Sequence, residues 1–449
     1  MAFFKSPYKM KISFILLFFF SLFSSSSVAQ NQKFATLDSL FDLLEINDRF
    51  MGTLSISENG KIIYSKSIGK DDVASGKLSN NLTKYRIGSI SKMFTACLIF
   101  QAIEENKLSL KQTINHYFPK ITNSKEITIG NLLNHHSGIH NYTNDTSYLN
   151  YYTTSQSQKE MMKIIQAGGS DFNPNSRAEY SNSNYILLTY ILEKIYKKSY
   201  AELLLAKIIQ PLGIKNTYFG AKLSPENKEC YSYRYSGKWE LEKETHSSVA
   251  VGAGGLVSTT EDLLIFITNL FEGKIINAAS LEQMIKLEDG FGMGIFPVPF
   301  YDKKGFGHTG GIDGFSSFLY TFPAENTSIA LISNGSRFNN NEIGIAALSD
   351  CFDKPFTLPS FYAVELTSAD LDKYLGTYSN PEMPIKIVIT KDALSLIAQA
   401  TGQQSFSLDA TGKDTFEFSA AGVKIEFIPE KNSLILMQGG GEFTFVKIQ

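Results

Sequence analysis

Residues 85–98 read Tyr85-Arg86-Ile87-Gly88-Ser89-Ile90-Ser91-Lys92-Met93-Phe94-Thr95-Ala96-Cys97-Leu98, a short polar word set against an apolar run. Met93, Phe94, Cys97, Leu98 and Ala102 recur at helical spacing, so residues 89–105 are expected to form a helix buried in the core. With Ser89 at its opening, Lys92 falls on the same face one turn later, within reach of the serine oxygen. A serine hydroxyl is a poor nucleophile until a base takes its proton. A helix start adds free N–H groups and the positive end of a dipole, which favour negative charge developing beside Ser89. Apolar surroundings would lower the Lys92 pKa and make it a proton acceptor. Ser-x-x-Lys also occurs at Ser6/Lys9 and Ser67/Lys70, but only Ser89 opens a long apolar helix. The bland alternative is a helix cap beside an unrelated lysine.

Two further words extend this reading. Tyr180-Ser181-Asn182 stands directly before a second apolar helical pattern, 182–196. A tyrosine near Lys92 can relay protons if the lysine cation lowers its pKa, and an asparagine amide can hold a substrate carbonyl. Tyr142/Asn144, Tyr148/Asn150 and Tyr378/Asn380 fit the same short pattern. Gly307-His308-Thr309-Gly310-Gly311 enters a strand, where glycines let a substrate backbone approach the edge. The N–H groups of Ser89 and Gly311 would then form an oxyanion hole.

Other signatures lead elsewhere. No G-x-S-x-G is present. Gly305, Gly307 and Gly310 spell G-x-G-x-x-G, but residues 315–322 read as strand where a dinucleotide site needs a helix. His135, His136 and His140 lack the glutamate of H-E-x-x-H and read as loop histidines, so no metal or other cofactor is expected.

Lys5, Lys9 and Lys11, the apolar run 12–23 and Ser27-Val28-Ala29 form the pattern of a secretory signal peptide, residues 1–29. The formal charge of −2 becomes −5 without those three lysines, so no basic excess points to nucleic acid, and no second long apolar run spans a membrane. An exported protein, periplasmic or secreted, is expected. Cys97, Cys230 and Cys351 make neither a disulfide framework nor a zinc motif. Periodicity gives a helix at 34–47, a hairpin of 50–56 and 61–68, helices at 200–209, 260–271 and 341–352, and strands at 314–322 and 328–332. Strands early and late suggest an antiparallel sheet with edges drawn from both ends of an α+β, or α/β, domain, residues 30–353. Pro355 and Pro359 mark a linker, 354–366. Residues 367–449 then carry six short strands, 386–390, 394–398, 415–418, 423–428, 433–437 and 443–448, expected to form a β-barrel or meander.

Taken together, Ser89/Lys92, Tyr180/Asn182 and His308/Gly310 resemble the Ser-x-x-Lys, Tyr-x-Asn and Lys- or His-x-Gly pattern of the serine β-lactamase and penicillin-binding protein superfamily, in its class C-like branch. Residues 85–88, 127–138, 211–213 and 254–259 are similar in their flanks. The resemblance implies a β-lactamase-like fold, a helical lobe against an antiparallel sheet flanked by helices, and Tyr374-Leu375-Gly376-Thr377-Tyr378 resembles the start of an appended lipocalin-like all-β domain. It also implies Ser89, Lys92, Tyr180 and His308 as catalytic residues, Asn182, Thr309, Gly310 and Gly311 as substrate contacts, and a small peptide, ester or β-lactam as substrate. The implied activities are DD-peptidase or D-amino-acid peptide hydrolase, then carboxylesterase, then a sensing module that acylates and stalls. Two positions depart from the pattern. Asn175 follows Pro174 where glycine is usual, and asparagine tolerates the left-handed backbone. His308 stands where class C β-lactamases carry lysine, and a mostly neutral imidazole argues against an efficient β-lactamase.

Overall fold

The computed structural model describes residues 33–361, 366–392, 395–403 and 405–448, so the expected signal peptide lies outside the described residues. Helix α1 (Ala35–Ile46) buries Leu37, Leu40, Phe41 and Leu44, the stripe that its periodicity marks. It leads into the hairpin β1 (Phe50–Glu58) and β2 (Lys61–Ile68), whose turn residues Asn59 and Gly60 both take positive φ, 51° and 73°, as a tight right-twisting hairpin requires. Helices α2 (Ser91–Glu104), α3 (Asn182–Tyr196), α4 (Ser247–Gly254) and α5 (Thr260–Phe271) follow. The sheet is completed by β3 (Phe296–Phe300), β4 (Lys303–Ile312), β5 (Phe315–Phe322) and β6 (Thr327–Ser336), and α6 (Asn340–Cys351) packs on it.

Strand order is β3-β4-β5-β6-β1-β2, all antiparallel, so the N-terminal hairpin closes on the last strand. Period-two alternation divides β6 between two cores: Ile329 and Leu331 pack with α1 and α6, while Ala330 and Ile332 join α5 and the helical lobe. Helix α2 is buried from Ser91 to Phe100, apolar on nearly every side because it runs through the middle of that lobe. Phe94 stacks on Phe266 of α5 with ring centroids 3.7 Å apart, fixing the lobe against the sheet.

Three local features depart from the sequence reading. Ser89 lies in a short 3-10 turn, Gly88–Ile90, that ends directly before α2. Segment 200–209 divides into an α-turn, Tyr200–Leu204, and a π-turn, Leu205–Ile209. Strand β3 was hidden by Pro297 and Pro299; it is an edge strand, where the missing N–H groups cost no ladder bond.

Residues 376–447 form a closed barrel of eight antiparallel strands: β7 (Gly376–Asn380), β8 (Met383–Asp392), β9 (Ser395–Ala400), β10 (Phe406–Gly412), β11 (Thr415–Phe418), β12 (Val423–Ile428), β13 (Ser433–Gln438) and β14 (Gly441–Lys447). Pairing of Tyr378 with Lys447 closes it. Side chains fill its centre, where the Phe427 ring lies 4.6 Å from Tyr374 and 5.6 Å from Phe416. Phe416→Ala should therefore cost about 3–5 kcal/mol of barrel stability in urea unfolding followed by the barrel's own signals. A cost under about 1 kcal/mol would mean that this ring does not hold the barrel.

Candidate active site

Lys92 Nζ is the hub of the site. It lies 2.9 Å from Ser89 Oγ, 2.8 Å from Asn182 Oδ1 and 2.6 Å from the Ala253 carbonyl oxygen. The lysine is fully buried, and that desolvation alone holds its pKa well below the ordinary lysine value. Hydrogen-bond inventory agrees with a neutral amine. Lys92 Nζ can donate to all three oxygens; in the neutral form its two N–H bonds go to Asn182 Oδ1 and the Ala253 carbonyl, which can only accept, and its lone pair faces the Ser89 hydroxyl.

The Ala253 carbonyl reaches the lysine because α4 is broken at Val251, which sits at φ 28°, ψ −128°. A β-branched residue rarely takes that backbone, and such strain persists only where the surroundings over-determine it. Here the kink aims two carbonyls at α2: Gly252 O accepts from Thr95 Oγ1 at 2.8 Å, and Ala253 O from Lys92. A Cβ on Gly252 would lie 2.3 Å from Thr189 Oγ1, so the close approach requires glycine. Asn182 is fixed at the first turn of α3, its N–H donating to Asn141 Oδ1 at 3.0 Å and its Nδ2 to Thr143 Oγ1 at 3.1 Å.

Tyr180 donates its phenol to Ser89 Oγ at 2.8 Å, and burial pushes its pKa up. The direction is opposite to the sequence expectation, because burial of the phenol disfavours the phenolate. His308, on β4, packs edge-on to Phe296 with centroids 4.8 Å apart and stands 6.3 Å from the Tyr180 ring. Burial first, then Lys92, lowers its pKa to about 3. Its Nδ1 pairs with the Thr309 carbonyl, which can only accept, so the neutral ring carries its proton there and a lone pair on Nε2.

Strand β4 crosses directly over the serine turn. Gly88 has φ 51°, and a Cβ there would come 2.7 Å from Gly311 N; one on Gly310 would come 2.1 Å from Ile87 O. This contact brings Ser89 and Gly311 to one pocket of about 200 Å³, shared with Asn182, Thr143, Tyr148 and Asp313. Strand parity puts His308 and Gly310 on one face of β4 and Thr309 on the other, so Thr309 lines a different cavity behind the strand. Arg86 braces the pocket floor, donating to Asp313 Oδ2 at 3.1 Å and to the Thr245 and Ala221 carbonyls at 2.6 and 3.0 Å. Asn175 keeps the turn before Tyr180 with φ 65° and accepts from Asn131 Nδ2 at 2.6 Å.

One residue set aside in the sequence reading belongs to this site. His135 takes φ 64° and clamps Tyr180 on three sides. Its carbonyl accepts from Glu179 N–H at 3.0 Å, its Nδ1 accepts from Ser181 N–H at 3.1 Å, and its ring lies against the Tyr180 ring, 4.5 Å between centroids. The imidazole must be neutral to accept at Nδ1, and full burial holds its pKa well below the ordinary histidine value. His136 and His140 are engaged apart from it, with Asp289 at 3.1 Å and Asp171 at 2.9 Å. Among the described residues no group of His, Cys, Asp or Glu is arranged to hold a metal.

The fold is β-lactamase-like, with a convergent serine, lysine, tyrosine and histidine between its two lobes. The Beta-lactamase family matches residues 44–349, and the chain belongs to that family. It is 27% identical over 442 residues to Penicillin-binding protein 4* of Bacillus subtilis (strain 168), covering 90% of this chain and 97% of that one. It is 28% identical over 270 residues to the teichoic acid D-alanine hydrolase of Staphylococcus aureus (strain NCTC 8325 / PS 47), covering 58% and 66%. Its fold is similar to that of the D-amino acid amidase from Ochrobactrum anthropi SV3, with TM-score 0.64, 22% identity, 72% of this chain and 99% of the other. The octameric penicillin-binding protein homologue from Pyrococcus abyssi matches with TM-score 0.64 and 23% identity over 92% of this chain and 99% of that one. These relatives support a hydrolase acting on small substrates.

His135→Phe keeps a flat ring against Tyr180 and removes the acceptor for Ser181 N–H. The rate of fluorophosphonate labelling of the protein should fall about 10- to 100-fold with little change in melting temperature. An unchanged rate would show that the imidazole nitrogen does not position the tyrosine.

Proposed function

We propose that the protein is an exported serine hydrolase that forms an acyl-enzyme on Ser89. Lys92 Nζ between Ser89, Asn182 and Ala253 carries this reading. The Ser89 proton passes to the Lys92 lone pair as Oγ attacks the substrate carbonyl carbon. The N–H groups of Ser89 and Gly311 take the oxyanion, and Asn182 orients the acyl side. When the tetrahedral adduct collapses, Tyr180 gives its phenolic proton to the leaving nitrogen or oxygen and recovers one from the Lys92 ammonium. Water then repeats the sequence in reverse and frees Ser89. His308, neutral and without a free N–H on Nε2, acts as a polar wall.

The pocket favours one substrate class. Among the described residues lining it none is cationic, and the one charged side chain, Asp313, is an acid. A substrate with a terminal carboxylate finds no fixed positive partner there. A D-aminoacyl ester or amide fits better, as the names of the D-alanine hydrolase and D-amino acid amidase relatives suggest. A small-ester carboxylesterase is the second reading that the same uncharged lining supports.

Intact-mass measurement after incubation with a fluorophosphonate and a penicillin should show a single adduct on Ser89 with the former, absent in Ser89→Ala; an adduct elsewhere would overturn the assignment. D-alanyl p-nitroanilide should be turned over faster than D-alanyl-D-alanine, and the reverse ranking would restore the DD-peptidase reading.

The pH profile has a definite sign. Acylation needs neutral Lys92, whose pKa is depressed, so the rate should rise from acid towards neutral pH and be near its plateau well below the ordinary lysine pKa of about 10.4. His308 titrates near 3, so it contributes no inflection between roughly pH 5 and 8. A rate that climbs only above about pH 9 would contradict a neutral lysine base.

A further inference from the structure

Behind the Gly310-Gly311 backbone lies a second cavity, about 630 Å³, walled jointly by the β4–β5 hairpin, residues 233–235, the start of α6 and the barrel. Gly311 and Asp313 line both this cavity and the Ser89 pocket, and a Cβ on Gly311 would meet nothing within 4 Å. The two spaces therefore adjoin at the glycine, with no side chain between them at that position.

The barrel's part of the wall is built and held. Phe406 and Phe418 stack with centroids 4.5 Å apart at 19°, both half-buried on the cavity side. Asp409, three residues after Phe406 on the same strand, is bonded by Arg49 and Arg337 of the hydrolase lobe at once. The Arg337 guanidinium in turn lies 3.7 Å from the Tyr235 ring centroid, fixing a third aromatic of the wall. One barrel carboxylate between two guanidinium groups thus ties the barrel to the hydrolase lobe beside the cavity.

Its chemistry is neutral and polar with flat apolar faces. Arg234 is neutralised by Glu242 at 3.1 Å, and Asp313 by Arg86. Asn339, Asn340 and Asn341 present amides, and Asn340 Oδ1 is buried with no protein partner. Aromatic faces attract the weakly positive C–H face of a ring, while amides and hydroxyls donate to and accept from its rim. An uncharged sugar ring has that form, and a charged headgroup or acidic peptide does not.

We propose that this cavity is a saccharide subsite: the aminoacyl group enters the 200 Å³ pocket, and the sugar-bearing remainder of the same molecule crosses Gly311 into the larger space. The proposal rests on the reading of Ser89 as nucleophile towards D-aminoacyl esters or amides, and it narrows the substrate to one carried on a glycan.

The test uses the full chain as Ser89→Ala, titrated calorimetrically with chitotetraose, an uncharged N-acetylated saccharide. Binding at millimolar affinity or tighter is expected, weakened about tenfold or more by Phe406→Ala and by Phe406→Leu, which keeps apolar volume and loses the flat face. With Ser89 restored, both variants should hydrolyse D-alanyl p-nitrophenyl ester within about twofold of the parent rate, since Phe406 does not reach the reacting atoms. No saccharide binding, affinity in both variants unchanged from that of the parent, or binding of an uncharged tripeptide in place of the saccharide would overturn the subsite. Failure of the nucleophile reading shows separately, as fluorophosphonate labelling that is absent from the parent or persists in Ser89→Ala, while saccharide binding to Ser89→Ala is retained.

Discussion

A single buried amine organises the catalytic half of the molecule. An ammonium without water or a counter-charge costs several kcal/mol in a protein interior, and Lys92 has no carboxylate among its hydrogen-bond partners. Burial therefore favours the neutral amine, the form that can accept a proton. Three elements that share no sequence neighbourhood are then tied together through one nitrogen: the serine turn, the first residue of α3 and the broken helix α4. The strain at Val251 belongs to the same constraint, since only a kinked chain turns the Ala253 carbonyl back on the lysine.

A second constraint is the closeness of β4 to the serine turn. Gly88 and Gly310 let two backbones cross with no side chain between them, so Ser89 and Gly311 share one pocket. His135 completes the arrangement from the opposite side, holding the residues before and after Tyr180 so that the phenol meets the serine oxygen. The barrel stands outside this machinery and is attached through Asp409 to the rim where the strand edge opens.

Ser89, Lys92, Tyr180 and Asn182 were legible because each lies at the start of an apolar helix, where a short word gains meaning from its flank. His308 and Gly310 were legible as a pair, and strand parity alone would have put Thr309 on the opposite face. His135 was not, since its part depends on a left-handed backbone and on donors from residues 179 and 181 that only the fold brings to it. The Ala253 carbonyl has no side-chain signature at all. Tyr180 was expected to have its pKa lowered, because sequence shows that a lysine is near and cannot show that the phenol is buried. In the fold, the long periodic segments were recovered, whereas β3 was hidden by its prolines. Of the barrel strands, β7 has a single deeply buried residue, Tyr378, and β10 breaks its alternation at a bulge after Ala410.

The charge of Lys92 is the most direct test of the whole account. Carbon-13 NMR of lysine-labelled protein, with the Lys92 signal assigned by its loss in Lys92→Met, follows ionisation at that one side chain. The account predicts the chemical shift of a neutral amine at pH 7, with titration only on the acid side. A signal that stays that of an ammonium up to about pH 10, like the surface lysines, would contradict it.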